Sequence, residues 1–407
     1  MPDAVSSSQQ PPAQSSSPSS APRPRLIWYN IAFLTLTPLA ALIFTPIYFS
    51  NHPFSWGLLA FLLITYTISN MSITCGYHRY FSHRSYDVHP WIENLYIFFA
   101  SGAFQGSVLS WCTDHRRHHR SVDTNEDPYN INRGFFFAHF FWMFREDPHP
   151  DAEVFPKDLT KSKFIVWQHK YYAIIATFVG FVLPGLMASA LGYGFWGGVI
   201  IGGALRITLS QHSTFLINSA AHFFGRQPYT DKNTARDSHF LAFLTFGEGY
   251  HNFHHFFQAD YRNGIRWYQW DPTKWWIDAL AMAGLASRLK KAKREEIFKA
   301  RLAMEERMML SRGASHEKVA QLKNRVVEAQ NRIRQMHDDY LAVKRSFKER
   351  RQAKGREMRA QFQAHVEHLR NLKRMKRAEV KMAKIEFSSA YTQWRTFRRA
   401  LPRSAAA

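Results

Sequence analysis

Two cysteines, Cys75 and Cys112, are all that the 407 residues contain. So few thiols exclude a disulfide framework and fit a chain that faces a reducing cytosol. Acid is also scarce, with 31 Asp and Glu against 53 Lys and Arg and a formal net charge of +22. No base-reading motif or regular aromatic interleaving accompanies that charge, which argues against a nucleic-acid partner. No cleavable signal peptide is visible. Residues 1–25 are rich in Ser, Pro and Gln and end in Pro22-Arg-Pro-Arg25, too polar to build a core, and read as a disordered tail.

What is abundant is apolar length. Leu26 to Phe49, Trp56 to about Cys75, Tyr171 to about Leu191 and Phe195 to Ile217 each have the length that spans a bilayer as a helix. Four such runs exclude a single soluble globule. A fifth stretch, Trp91 to Trp111, is broken by Ser101-Gly102 and Gln105-Gly106-Ser107 and reads as re-entrant or packed on the protein. Lys and Arg are missing from Pro46–Ser55 and from Gly192-Tyr-Gly, so both short connections are expected on the exoplasmic side. Both termini and the segment 79–170 are then cytosolic.

Histidine is placed on that cytosolic side with ligand spacing. His115-Arg-Arg-His118-His119 and His251-Asn-Phe-His254-His255 repeat one pattern. On a helix, positions i, i+3 and i+4 share a face, so each copy is expected to aim three imidazoles at one point. His78-Arg-Tyr-Phe-Ser-His83 supplies two more, and Asn218-Ser-Ala-Ala-His222 an amide and a ninth imidazole. One ion uses three or four protein ligands, so this inventory points to two metal ions; imidazole suits iron, copper and zinc alike. Isolated histidines such as His89, His139 and His212 read as hydrogen-bonded packing residues.

The last third of the chain has a different character. From Ser287 onward there are 33 basic and 13 acidic side chains, nearly the whole net charge. Val319, Leu322, Val326, Ala329, Ile333, Met336, Tyr340, Val343 and Phe347 recur at alternating steps of three and four, an a/d seam bracketed by Gly313 and Gly355. Ala286–Met309 and Arg356–Phe397 read as further helix. The seam suits self-association into a homo-oligomer or partner docking, and the surplus cations suit anionic membrane lipid or an acidic redox partner. The expected organisation is a tail over 1–25, a membrane and metal domain over 26–285, and a basic coiled-coil helix over 286–407, all-α throughout.

Several motifs, in order, carry a resemblance. His78-Arg-Tyr-Phe-Ser-His83, Asp114 before the first triplet, Gly134-Phe-Phe-Phe-Ala-His139, Asn218-Ser-Ala-Ala-His222 and Gly247-Glu-Gly-Tyr-His-Asn-Phe-His-His255 resemble the membrane acyl-CoA desaturases of the stearoyl-CoA type, over about Trp28 to Leu280. The segment from Asp260 to Lys274 is similar to the fungal branch. The resemblance implies a multi-pass enzyme of the endoplasmic reticulum membrane with four transmembrane helices and a cytosolic helical di-iron domain. Its reaction, a cis double bond made near C9 of a saturated acyl-CoA with O2 and two electrons, suits a redox metal, because an unactivated methylene has no acidic proton for general acid–base groups. Zinc has no redox chemistry to offer.

Carried over by motif, the resemblance assigns His78, His83, His115, His119 and His254 to one of two iron ions, and His118, His222, His251 and His255 to the other, with Asn218 reaching it. Asp127 and Glu248 match acids that orient ligand imidazoles. Gln105, Trp111 and Thr214 match positions lining the bend of an acyl tunnel, and Asn30, Asp114 and Arg145 match contacts to CoA. Thr113 stands where the family has Arg, Glu146 where animal members have Lys, and Phe215 where animal members have Trp; two lost cations weaken the case for a polyphosphate carrier. Fungal members end in a cytochrome b5 domain with a His-Pro-Gly-Gly loop, a tetrapeptide absent here. A separate cytochrome b5 and its NADH-linked reductase are therefore expected as partners. Other readings are a related di-iron hydroxylase, a desaturase making an unusual bond in specialised metabolism, and an inactive membrane scaffold acting through its tail. An intact set of ten ligand positions argues against the last.

Overall fold

The computed structural model describes residues 25–149, 154–352 and 359–402. The tail up to residue 24 and Gly355 lie outside the described residues. The chain is mostly helical and forms two compact units, Met1–Ser82 with His89–Ser219, and His83–Val88 with Ala220–Ala407.

In the first unit, α1 (Trp28–Asn51) and α2 (Trp56–Ser82) are followed by α3 (Pro90–Ser101), α4 (Val108–Ser121), α5 (Tyr172–Ala190) and α6 (195–218). Start signals are local. Ser55 Oγ accepts from Leu58 N (3.4 Å) at α2 and Ser107 Oγ from Ser110 N (3.2 Å) at α4, while Pro90 opens α3 where a missing N–H costs no helical bond. Helices α1, α2 and α5 are long and apolar enough to cross a membrane. The fourth apolar run is helical but carries Arg206, Ser210, Gln211 and His212, so three helices rather than four meet that standard.

Helices α5 and α6 approach through small residues, as helices do where burial in lipid supplies no hydrophobic drive and close packing must. A Cβ on Gly198 would collide with the Pro184 carbonyl oxygen of α5, and one on Gly202 with the Phe61 ring of α2. Widened π-type turns occupy Ser72–Ser82, Phe178–Val182 and Gly198–Leu205. Across two of them lies Arg206, 1 % exposed. Its Nε donates to Gly202 O (2.6 Å), Nη1 to Ser69 Oγ (2.6 Å), and Nη2 to Gly102 O (3.0 Å) and Gly180 O (3.1 Å). All four acceptors are neutral. One guanidinium therefore ties α2, the turn after α3, α5 and α6 together.

The second unit contains β1 (Asp87–Val88), α7 (His251–Phe256), β2 (Ala286–Ser287), α8 (Arg294–Ser311), α9 (His316–Gln352) and α10 (Arg359–Ala400). Strands β1 and β2 pair antiparallel, Lys290 N donates to Ser85 O (2.8 Å) and Ala292 N to Asp260 Oδ2 (2.8 Å). These bonds hold 286–293 extended, where the sequence reads as helix. Helix α8 starts only at Arg294.

The a/d seam has a partner within the chain. Val319, Leu322 and Val326 of α9 are buried in one cluster with Leu302 and Met309 of α8 and Ala390 and Trp394 of α10. Farther along, Arg332 pairs with Glu386 (3.3 Å), Asp339 with Lys376 (3.5 Å), and Lys373 Nζ sits 5.2 Å from the Phe347 ring. Numbers rise on α9 as they fall on α10, so the two form an antiparallel hairpin. Val319, Leu322 and Val326 are therefore covered by the chain's own α8 and α10, and this part of the seam is not open to a second chain. Glu305 locks the closed end, accepting from Trp394 Nε1 (2.7 Å) and pairing with Arg398 and Arg301.

Trp394→Ala removes a fully buried ring and a donor to a buried carboxylate, at a cost of about 3–5 kcal/mol to the hairpin. Trypsin should then cut the Lys- and Arg-rich α9 and α10 well before the rest of the purified chain. Unchanged protection in the variant would show that the ring does not hold the hairpin shut.

Candidate metal centre

In the first unit the site grows from α2 and α4. His78 lies on the widened last turns of α2, and His115, His118 and His119 lie on α4. Ring centroids are 4.6 Å apart for His78 and His115 and 4.6 Å for His115 and His119, and one nitrogen from each of these three lies within 4.8 Å of the others. The first triplet nevertheless does not aim all its rings at one point. His118 is 6.2 Å from His115 and belongs to a different grouping. Positions i+3 and i+4 flank position i about 100° apart on a helix, so only one of them can join it at one small ion.

The second unit repeats this. His251 and His255 of α7 have ring centroids 4.4 Å apart, with Nε2 atoms 3.0 Å apart, and His222 brings its Nε2 to 3.0 Å from that of His251. His254 is 5.8 Å from both helix neighbours and sits instead beside His83 at 4.5 Å. Each unit thus carries a three-imidazole cluster built from an i, i+4 pair and one histidine from elsewhere. His78, His115 and His119 form one, and His222, His251 and His255 the other. Both have the composition and spacing to hold metal.

Outer nitrogens are held so that inner ones present lone pairs. His118 Nδ1 lies 2.9 Å from Asp127 Oδ1, His115 Nδ1 3.3 Å from Tyr129 OH, and His222 Nδ1 2.8 Å from Thr234 Oγ1. Asp127 is itself fixed by the backbone N–H of Asp123 (3.0 Å) and Tyr129 (3.2 Å). A carboxylate or hydroxyl behind an imidazole sets its tautomer and raises its basicity, which is what a metal ligand needs. This donor set fits metal. Both acids singled out by sequence, Asp127 and Glu248, are buried, and Glu248 accepts from Asn263 Nδ2 (2.5 Å). The cysteines take no part: burial pushes the Cys112 thiol up to about 12, so it stays protonated and inert.

Residues between the histidines position them. Arg116 donates to the carbonyls of Phe81 (2.6 Å) and Ser82 (3.2 Å) and pairs bidentately with Asp158 (2.8 Å each), fastening the end of α2 to α4. Asn252 accepts from Tyr229 N (2.8 Å) and Thr230 N (3.2 Å) and donates to Thr230 O (2.7 Å) and Ala235 O (2.9 Å), which seats α7. Neither role was legible beforehand; Tyr129 and Thr234 gave no signal by spacing at all. Asn218 closes α6, four residues before His222.

The expected substrate residues fall into groups. Gln105 Nε2 donates to Thr214 Oγ1 (2.9 Å), uniting two positions far apart in sequence. Trp111 stacks on His115 at 4.8 Å. Asn30 Nδ2 donates to Met143 O (2.8 Å), and Leu26 bridges Arg145, so two of the three expected CoA contacts lie on joined segments. Asp114 is drawn to buried Arg117 at 3.6 Å, an arginine that also pairs with Asp147. Burial pushes the Asp114 carboxyl up to about 7. His139 and His212 are hydrogen-bonded to each other (3.0 Å), in keeping with a packing role.

Comparison with known proteins agrees with this geometry. The chain is 40 % identical over 248 residues to a probable acyl-CoA desaturase of Schizosaccharomyces pombe, covering 61 % of this chain and 52 % of the relative. It is 38 % identical over 283 residues to acyl-CoA desaturase 1 of Saccharomyces cerevisiae, covering 69 % and 55 %. An sn-1 stearoyl-lipid 9-desaturase of Anabaena variabilis is 34 % identical over 277 residues, covering 67 % of this chain and 97 % of the relative. The chain therefore spans little more than half the length of its two fungal relatives. The family model for fatty acid desaturases matches residues 53–288, which include nine of the ten expected ligand positions' motifs in full and Asn218 as the tenth, and the chain belongs to the fatty acid desaturase family.

Proposed function

We propose that this chain is an O2-dependent acyl-CoA desaturase that places a cis double bond at C9 of a saturated acyl chain. The observation that carries the reading is the pair of three-imidazole clusters, with the outer nitrogen of His115 held by Tyr129 and that of His222 by Thr234, and His118 beside them held by Asp127. In this reading, as the family resemblance assigns them, His78, His83, His115, His119 and His254 hold one iron, and His118, His222, His251 and His255 the other, with Asn218 reaching the second. Bound iron supplies the one-electron and O2 chemistry that an unactivated methylene requires. The chain's own work is to orient and to exclude water. Trp111 walls off His115, and the Gln105–Thr214 hydrogen bond marks the bend that selects the bond attacked.

Helix 195–218 completes a fourth crossing in this proposal. Motifs following α2 and motifs following α6 reach the same cytosolic face only after an even number of spans, and the endoplasmic reticulum membrane is the setting implied. Electrons come from a separate cytochrome b5 with its NADH-linked reductase.

A second reading, that the acyl carrier is a lipid, rests on one observation. Thr113, where the family has a cation, is buried and donates its hydroxyl to Leu109 O (2.7 Å), so it offers nothing to a polyphosphate. Turnover of stearoyl-CoA against stearoyl-phospholipid, with double-bond mapping of the product, separates the two readings.

Purified protein should bind about two irons per chain, because nine imidazoles exceed one ion's needs. His119→Ala and His255→Ala should each lower the iron content and abolish turnover while expression persists. A single zinc per chain, or full activity in either variant, would overturn the assignment.

Reconstitution in liposomes with the reductase alone should give no turnover until cytochrome b5 is added. Equal rates with and without it would reject the separate donor.

A further inference from the structure

The outer face of α10 carries two adjacent rows that neither the metal clusters nor the hairpin uses. Arg370, Arg374, Arg377, Lys381 and Lys384 are all exposed and recur at steps of four, three, four and three, so they form one row about 21 Å long. Beside it run Met375, Met382 and Ile385, with exposures of 61 %, 57 % and 53 %. The opposite side of the helix is the one spent on the hairpin, through Val380, Ala383, Ala390 and Trp394. Acids along the stretch are engaged, Glu379 with Lys376 (2.8 Å) and Glu386 with Arg332 (3.3 Å). Among the described residues, no ion pair neutralises this cationic row.

Three kinds of occupant can be weighed by charge. A second copy would set the same cations against themselves, which opposes pairing of this face. A solvated helix explains the cations but not large apolar side chains held at helical spacing in water. An anionic surface with a hydrocarbon layer beneath it satisfies both rows, with cations at the phosphates and Met and Ile side chains at the acyl boundary. The chain also carries helices able to cross a membrane, so a bilayer is always present at high local concentration.

We infer that the exposed face of α10, from Arg370 to Ile385, docks on the surface of an anionic phospholipid bilayer. This inference does not rest on the proposed chemistry. It gives the segment beyond the family match a lipid-sensing surface of its own, strengthened by phosphatidylserine-type headgroups and weakened by salt.

The test uses the full chain with Ile385→Cys, labelled with an environment-sensitive fluorophore. Cys75 and Cys112 are fully buried and escape the label. In nanodiscs of phosphatidylcholine with phosphatidylserine, emission should shift to the blue and be quenched several-fold by a lipid-borne quencher. High salt should reverse both effects, and pure phosphatidylcholine should show neither. Reversal of Arg374, Arg377, Lys381 and Lys384 to Glu should abolish the shift while helical content by circular dichroism, a measure of the folded chain, stays unchanged. If the quadruple variant loses helical content, Met375→Ser with Met382→Ser supplies the second arm and should reduce quenching. The same emission in neutral and anionic discs would overturn the inference. So would a shift that appears only when soluble acidic protein is added, which would assign the face to a protein partner.

Discussion

Imidazole nitrogens 3.0 Å apart impose the strictest condition on this fold. If protonated they repel; to offer lone pairs to one point they must be neutral, with the proton on the other ring nitrogen, where a neighbouring acceptor holds it. Much of the surrounding structure serves that second requirement. Asp127, Tyr129 and Thr234 stand behind three rings. Asp127 is in turn held by the backbone N–H groups of its own loop, so order extends outward into a segment that contains no histidine.

Positioning by the residues between the ligands follows the same logic. Arg116 and Asn252 occupy equivalent places inside the two histidine triplets, yet one clamps carbonyls at a helix end and the other closes a loop with four hydrogen bonds. A side chain that shares a helix with the ligands but faces away from them transmits rigidity at little entropic cost, since the helix already fixes its backbone. The triplets are therefore two-sided devices, with ligands on one face and anchors on the other.

The sequence made the histidine inventory, the apolar spans and the helical tail legible, because these depend on composition and on periods of 3.5 to 3.6 residues. It misjudged the triplets, where a shared helical face was taken for a shared point; a face is wide, and His118 and His254 lie on its far edge. It also read 286–293 as helix, because nothing local announces that β1, two hundred residues earlier, pairs with it. The seam from Val319 was found, but its occupant was not, since α10 buries Trp394 and Ala390 at a less regular spacing. Arg206 passed unnoticed inside an apolar run. Its partners are backbone carbonyls, which leave no trace in side-chain pattern.

That arginine bears on how the protein is made. A guanidinium in an otherwise apolar helix is costly in hydrocarbon until its donors are satisfied. The acceptors that satisfy it, apart from Gly202 on its own helix, belong to α2, to the turn after α3 and to α5, all synthesised earlier. Helix α6 is thus poorly suited to enter lipid as a free segment and well suited to enter it against a preassembled set of neighbours. If α6 crosses the membrane as proposed, its stability there depends on the earlier helices having packed first.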